Sequence, residues 1–99
     1  MTRPRKLDDA DVAAGLSGLP GWSLAEGKLH REVRFADFQE AFAFMARMAL
    51  VSESLNHHPE WFNVWNRVVI DLNTHDAGGL TDLDFEWAKR ANVALGSTR

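Results

Sequence analysis

Apolar and polar positions divide this chain into helices and strands, with no repeat and no low-complexity stretch. Apolar residues that recur every three to four positions predict helices, and strict alternation predicts strands. The helical segments are Leu7–Leu16, Asp37–Asn56 and Thr81–Leu95. The strand segments form two hairpins, Trp22–Ala25 with Lys28–Phe35, and Trp61–Thr74 with its turn near Asn66-Arg67.

The order α-β-β-α-β-β-α predicts one α+β domain over residues 1–99. Its expected core is a four-stranded antiparallel sheet with three helices on one face. In the first hairpin, Arg31 shares a strand face with Leu29 and Val33. A charged residue on that face predicts a strand end or a side chain that extends toward solvent.

The helix predicted over 37–56 is apolar most of the way around. One stripe contains Phe38, Phe42, Met45, Ala49 and Ser52, and a second contains Phe44, Met48, Val51 and Leu55. A surface helix usually has one apolar stripe, and this chain has little other protein with which to cover two. The pattern predicts self-association through this helix, with one stripe packed on the sheet and the other on a second subunit. The alternative is a central core helix that the chain's own elements surround.

Composition excludes several classes of function. The chain has 99 residues, no cysteine and a net charge of -3, so it offers no thiol chemistry and no general attraction to nucleic acid. No apolar run is long enough to span a bilayer, and no secretory signal is visible, so we expect a cytoplasmic protein without a membrane partner. The basic start, residues 3–6, is interpreted as a frayed terminus.

Three of the four histidines belong to a set that has carboxylates at both ends. Glu53 precedes His57 by four positions, so in a continuous helix the two side chains can form a hydrogen bond. His58 precedes Pro59, which disfavours helical backbone and ends the helix near His57. Histidine changes charge near neutral pH, so the cluster is suited to acid–base catalysis. Taken singly, these residues also fit a surface pair and a loop.

His75 and Asp84 extend the set beyond the second hairpin. Strand alternation places His75 away from the apolar side chains, beside the loop at Gly78-Gly79. Asp84 fits the acidic position of a capping box that begins at Thr81, which by itself explains the residue. Trp61 is a candidate surface for a flat ligand, or alternatively a core aromatic.

A metal site is the main chemical alternative for this set. Three histidines and a carboxylate can make a catalytic zinc site. The spacing lacks His-x-x-x-His on a helix, and adjacent histidines rarely converge on one ion. We therefore expect no metal.

The complete set, Glu53-x3-His57-His58-Pro59-x5-Trp65-x9-His75-x8-Asp84, resembles the signature of pterin-4a-carbinolamine dehydratases. The continuous run 57–66 strengthens the resemblance, as does Thr74-His75 followed by Gly79-Leu80. The similarity is strongest over 53–84. Elsewhere the chain agrees with the family in element order and length.

The resemblance implies an enzyme that dehydrates 4a-hydroxytetrahydrobiopterin to quinonoid dihydropterin, in tetrahydrobiopterin recycling and without a cofactor. By position, the implied catalytic residues are His57, His58 and His75. The resemblance also implies that Asp84 polarises or positions the ligand or a histidine, and the substrate-binding candidates are Glu53, Trp61 and Asp84. In this hypothesis His57 and His75 act as acid and base, His58 mainly binds, and Glu53 orients His57.

The resemblance also implies dimers or tetramers and a second possible function. Animal members of the family also act as dimerisation cofactors of a homeodomain transcription factor. A non-enzymatic cofactor that retains the fold is therefore the alternative to an enzyme. In either case the expected partners are a pterin or a protein, with no direct contact to nucleic acid.

Overall fold

The helices and strands follow the predicted order. The structure is a computed structural model that describes residues 4–96, so Arg3 of the basic start lies outside the described residues. Its elements are α1 (Asp9–Ser17), β1 (Ser23–Ala25), β2 (Lys28–Arg34), α2 (Phe38–Leu55), β3 (Glu60–Val64), β4 (Arg67–Leu72), a 3-10 turn (His75–Ala77) and α3 (Asp82–Leu95). Within residues 4–96, no helix combines the length and apolar character needed to cross a membrane.

The four strands form one antiparallel sheet in the order β1-β2-β4-β3. Alternation gives the sheet one apolar face, because successive side chains point to opposite sides. That face is buried at Leu29, Val33, Val68, Ile70 and Leu72. It forms one core with side chains from all three helices, which confirms the predicted α+β architecture. The second hairpin turns at residues 65–66, one position earlier than predicted.

Side-chain caps set where the helices begin. Asp8 accepts a hydrogen bond from the backbone of Asp11, so α1 begins after Asp8. Asp37 accepts from the backbone of Glu40 and starts α2 as predicted. Thr81 and Asp84 form the predicted capping box of α3. These contacts satisfy backbone N–H groups that have no partner within the helix.

The two apolar stripes of α2 have different environments. Phe44 and Met48 of the second stripe are buried against the sheet and α3. Phe38 and Phe42 of the first stripe are 48% and 58% exposed, although Ser52 at its end is buried. The fold therefore covers only one of the two stripes. The predicted self-association through the other stripe stays a prediction.

Arg31 lies in the middle of β2 and is neither at a strand end nor directed freely into solvent. Its Nη1 donates to Asn92 Oδ1 at 2.6 Å and to the carbonyl of Pro20 at 3.2 Å. Burial lowers the pKa of the guanidinium. The side chain therefore joins the loop before β1 to the last turns of α3. Gly21 makes this possible, because a Cβ there would lie 2.5 Å from Arg31 Cζ.

We expect Gly21→Ala to destabilise the fold more than Gly27→Ala. Both glycines have positive φ, at 87° and 79°, so alanine costs about 1–2 kcal/mol at either position. Only at Gly21 must the added methyl also displace the Arg31 guanidinium and weaken its hydrogen bonds, since no atom of residues 4–96 lies within 4 Å at Gly27. Urea denaturation of both variants measures the difference. Equal losses of unfolding free energy would contradict the role given to Arg31.

Candidate functional site

A cavity of about 800 Å³ opens where the end of α2, the end of β4 and the start of α3 meet. All three histidines of the predicted set lie in its wall. The wall consists of Pro4, Arg5, Leu55, Asn56, His57, His58, Asn73, Thr74, His75, Asp76, Asp82 and Leu83. This volume is in the range of small-molecule sites. We call it the histidine cavity.

His57 reaches the cavity because α2 ends two residues before it. Asn56 has left-handed backbone angles, φ 49° and ψ 45°, and caps the helix. The N–H of His57 then donates to the carbonyl of Ser52 at 3.0 Å, which closes the turn. This reversal directs the imidazole toward α3. His57 Nε2 lies 2.5 Å from Asp84 Oδ1, and both side chains are buried.

Asp84 has a second set of contacts through its other carboxylate oxygen. Asp84 Oδ2 accepts from the hydroxyl of Thr74 at 2.8 Å and from the backbone N–H of Thr81 at 2.9 Å. The two threonine hydroxyls lie 2.8 Å apart. Thr74, Thr81 and Asp84 are buried. One carboxylate therefore both caps α3 and contacts His57.

Glu53 does not pair with His57 as predicted. Its Oε2 lies 2.5 Å from Nε2 of His58, and this pair is exposed. The expected spacing requires a helix that continues to His57. The left-handed Asn56 ends α2 first and brings the next histidine within reach of Glu53.

His75 is the most exposed of the three histidines. It begins the 3-10 turn after β4, and its side chain is 79% exposed. Its Nε2 lies 3.8 Å from Glu60 Oε2, while Glu60 Oε1 accepts from Lys28 Nζ at 2.6 Å. The ammonium of Lys28 lowers the pKa of Glu60, with a smaller effect of His75, and Glu60 in turn raises the pKa of Lys28. Glu60 is thus an ionised carboxylate that pairs with both His75 and Lys28.

Three further residues of the predicted set lie outside the cavity wall. Trp61 packs edge-on against Trp87 in the core, with ring centroids 6.1 Å apart. Glu53 is on the surface and Asp84 is buried behind His57. Ligand binding by these three residues stays a prediction. Trp65 is exposed at the tip of the second hairpin and has a φ of 50°. The whole length of β3 separates it from Glu60.

Sequence reasoning missed the contribution of residues 4–6. The basic start is not a free, solvated segment over its described part, since Pro4 and Arg5 form part of the cavity wall. Next to them, the N–H of Leu7 donates to the carbonyl of Leu80 at 2.8 Å. Composition gave no signal for this contact, which depends on how the chain returns to the loop before α3.

Thr74 was also missed, although the sequence contains a signal for it. Strand alternation places Thr74 in phase with the buried Leu72, where a hydroxyl requires a partner. The partner that it finds is Asp84.

The chemistry that this geometry supports is proton transfer. Imidazoles with different surroundings face one cavity, which is the arrangement needed for a separate acid and base. Across residues 4–96, no three His, Asp or Glu side chains are grouped so that they could hold a metal ion.

Comparisons with known proteins connect this geometry to a family. The family model described as pterin 4 alpha carbinolamine dehydratase matches residues 5–94. Relatives from Solibacter usitatus and Sinorhizobium medicae, both provisionally named pterin-4-alpha-carbinolamine dehydratases, are each 53% identical. The matches cover 89% and 93% of this chain and 93% and 90% of those proteins.

A solved structure is also similar to this one. The crystal structure of a protein from Brucella melitensis, described as a transcriptional coactivator/pterin dehydratase, is 41% identical with a TM-score of 0.90. The match covers 93% of this chain and 100% of that one.

Replacing Lys28 with methionine should raise the pKa of Glu60. The lysine stabilises the ionised carboxylate, so its removal makes protonation easier and moves the titration to higher pH. Carbon NMR of the side-chain carboxyl groups measures the titration directly. Lys89→Met, which removes a lysine on α3, is the matched control and should leave it unchanged. A Glu60 titration that is the same in both variants would contradict the shared ion pair.

Proposed function

The chain belongs to the pterin 4 alpha carbinolamine dehydratase family, a family of hydro-lyases, and we propose that it dehydrates a 4a-hydroxytetrahydropterin by histidine acid–base catalysis. The natural substrate in this proposal is 4a-hydroxytetrahydrobiopterin and the product is quinonoid dihydropterin. The step belongs to tetrahydrobiopterin recycling in the cytoplasm. The observation that carries the proposal is the meeting of His57, His58 and His75 in one cavity wall.

The proposed reaction needs two proton transfers and no change of oxidation state. The bond between C4a and the hydroxyl oxygen breaks, and that oxygen takes a proton and leaves as water. A ring nitrogen loses a proton, and its electrons form the new double bond to C4a. The net change is the loss of one water molecule. An acid near the oxygen and a base near the nitrogen are therefore sufficient.

The surroundings of the histidines support different roles for them. His57 is held by a buried carboxylate, so it is the histidine with the most fixed orientation. His75 is exposed, and its ionic neighbour among residues 4–96 lies 3.8 Å away, so it can adjust to the ligand. We assign these two as the acid–base pair at C4a. His58, held by Glu53 at the rim, contributes mainly to binding.

His57→Ala and His75→Ala should each lower kcat for dehydration by about 10²–10⁴-fold, the usual contribution of one acid or base. The assay follows the disappearance of a freshly generated 4a-hydroxytetrahydropterin in a stopped-flow spectrometer, with the uncatalysed rate subtracted. His30→Ala is the matched control. His30 pairs with Asp71 on the sheet, outside the cavity wall, so its loss should leave kcat unchanged. Full rates in both cavity variants would exclude the assignment.

A non-enzymatic role is the second candidate function. The Brucella melitensis protein is described as a transcriptional coactivator as well as a pterin dehydratase, and α2 presents exposed phenylalanines. The same assay separates the two functions. A folded wild-type chain that does not accelerate dehydration would favour the cofactor role.

We further propose that the chain forms a homodimer or homotetramer through the helix at 37–56. Phe38 and Phe42 on α2 are 48% and 58% exposed, and their ring centroids lie 5.6 Å apart. Large apolar side chains grouped in this way usually mark an interface. A second copy of the same helix would cover them.

Phe42→Glu should lower the sedimenting mass of the chain, since a carboxylate in an apolar interface has no partner and disfavours association. Sedimentation velocity of the wild type and the variant measures this. The control is Val93→Glu, which adds the same charge at a residue on α3 that is 73% exposed. A monomeric wild type would contradict the proposed assembly.

A further inference from the structure

We infer that Thr74 and Thr81 are positioning residues that fix which nitrogen of His57 meets the substrate. The inference rests on the proposed function and adds an atomic assignment to it. Through Asp84, the two hydroxyls hold the hydrogen of His57 on Nε2. His57 Nδ1 is then the atom that gives and takes the proton in the histidine cavity.

The direction of each hydrogen bond follows from counting donors. An ionised carboxylate only accepts, and a hydroxyl has a single hydrogen to donate. Thr74 donates its single hydroxyl hydrogen to Asp84 Oδ2. The 2.8 Å contact between the threonines must therefore be a donation from Thr81 to Thr74. Thr81 Oγ1 in turn accepts from the N–H of Leu83 at 3.3 Å.

The same count settles the histidine. Asp84 Oδ2 accepts from Thr74 and from the N–H of Thr81, so Oδ1 is the oxygen that remains for His57. Since Oδ1 can only accept, Nε2 must carry the hydrogen of that 2.5 Å contact. This holds for both neutral and protonated imidazole. Proton exchange with a ligand is therefore confined to Nδ1.

The surroundings of Nδ1 agree with this assignment. Within residues 4–96 it has no hydrogen-bond partner, and it is not among the fully buried polar atoms that lack one, so part of its surface is accessible. His57 lies in the wall of the histidine cavity. The imidazole thus has one nitrogen held in the interior and one directed to where a ligand can reach it.

The threonines matter because they hold the carboxylate still. With the Thr74 hydroxyl removed, Asp84 Oδ2 loses one of its two donors, and the chain of hydrogens from Thr81 ends without its acceptor. The carboxylate can then rotate, and the imidazole can adopt the form with its hydrogen on Nδ1. That form cannot act as a base toward the ligand at Nδ1.

The test is nitrogen NMR of the imidazoles together with steady-state kinetics on Thr74→Val and Thr74→Ser. In the wild type at a pH where His57 is neutral, its hydrogen should lie on Nε2. Thr74→Val keeps the shape but removes the hydroxyl, so it should show a mixture of the two neutral forms. Thr74→Ser restores the hydroxyl and should restore the wild-type spectrum.

The kinetics should follow the spectra. Thr74→Val should lower kcat by roughly 10- to 100-fold, by analogy with the loss of hydrogen-bond partners that orient metal-binding histidines, with little change in KM. Thr74→Ser should recover most of kcat. The matched control is Ser17→Ala, which removes another side-chain hydroxyl, one that donates to the carbonyl of Ala14 on α1, outside the cavity wall. It should change neither the His57 spectrum nor kcat.

Two results would overturn the inference. One is a wild-type spectrum with the hydrogen of neutral His57 on Nδ1, which needs no variant to fold. The other is a Thr74→Val protein that retains both the wild-type spectrum and kcat. Failure of the proposed function is recognised separately, because a wild type without dehydratase activity can still show the hydrogen on Nε2.

Discussion

The contacts of the Asp84 carboxylate hold together the segments that surround the histidine cavity and so maintain the cavity itself. The carboxylate joins the segment after α2 through His57, the segment after β4 through Thr74, and the start of α3 through Thr81. All of these groups are buried. Loss of the carboxylate would leave several of them without partners, at about 1–3 kcal/mol for each buried polar group. The local structure and the orientation of His57 therefore cannot be separated.

Local backbone chemistry brings these groups together. The left-handed Asn56 ends α2 and turns His57 inward, and Pro59 then keeps the chain extended into β3. The capping box places the Asp84 carboxylate at the first turn of α3, where backbone N–H groups lack partners. Each of these features is local in sequence. The sheet brings these groups together, because β4 leads the chain to Thr74 at the same end of the molecule.

Much of this could be predicted from the sequence, and the failures have specific causes. The alternation at Val68, Ile70 and Leu72 gave the buried face of β4, and Asp37 gave the start of α2. The partner of Glu53 was wrong because the prediction assumed that the helix continues to His57. Where a helix ends depends on the backbone conformation of a single residue. Asparagine can adopt the left-handed conformation at a helix cap, but it adopts other conformations as well, so the sequence did not show that Asn56 would end α2.

The placement of Trp65 and Arg5 could not have been predicted for a different reason. Trp65 belongs to the family signature, yet it lies at the hairpin tip and outside the cavity wall. Arg5 belongs to no motif, yet it forms part of that wall. Spacing along the chain does not report distances between segments that meet only through tertiary packing.

Before any ligand binds, His57 and His75 differ in how firmly the fold holds their side chains. The buried contact with Asp84 already restricts rotation of the His57 side chain. The His75 side chain, which is 79% exposed on a single 3-10 turn, is not restricted in this way. Immobilising a free side chain costs about 0.5–1.5 kcal/mol of entropy, and that amount is subtracted from the free energy of binding. In return, a loosely held second histidine can settle against ring systems with differently shaped substituents. Tolerance of such variation would then be set by His75, the more loosely held of the two histidines assigned as acid and base.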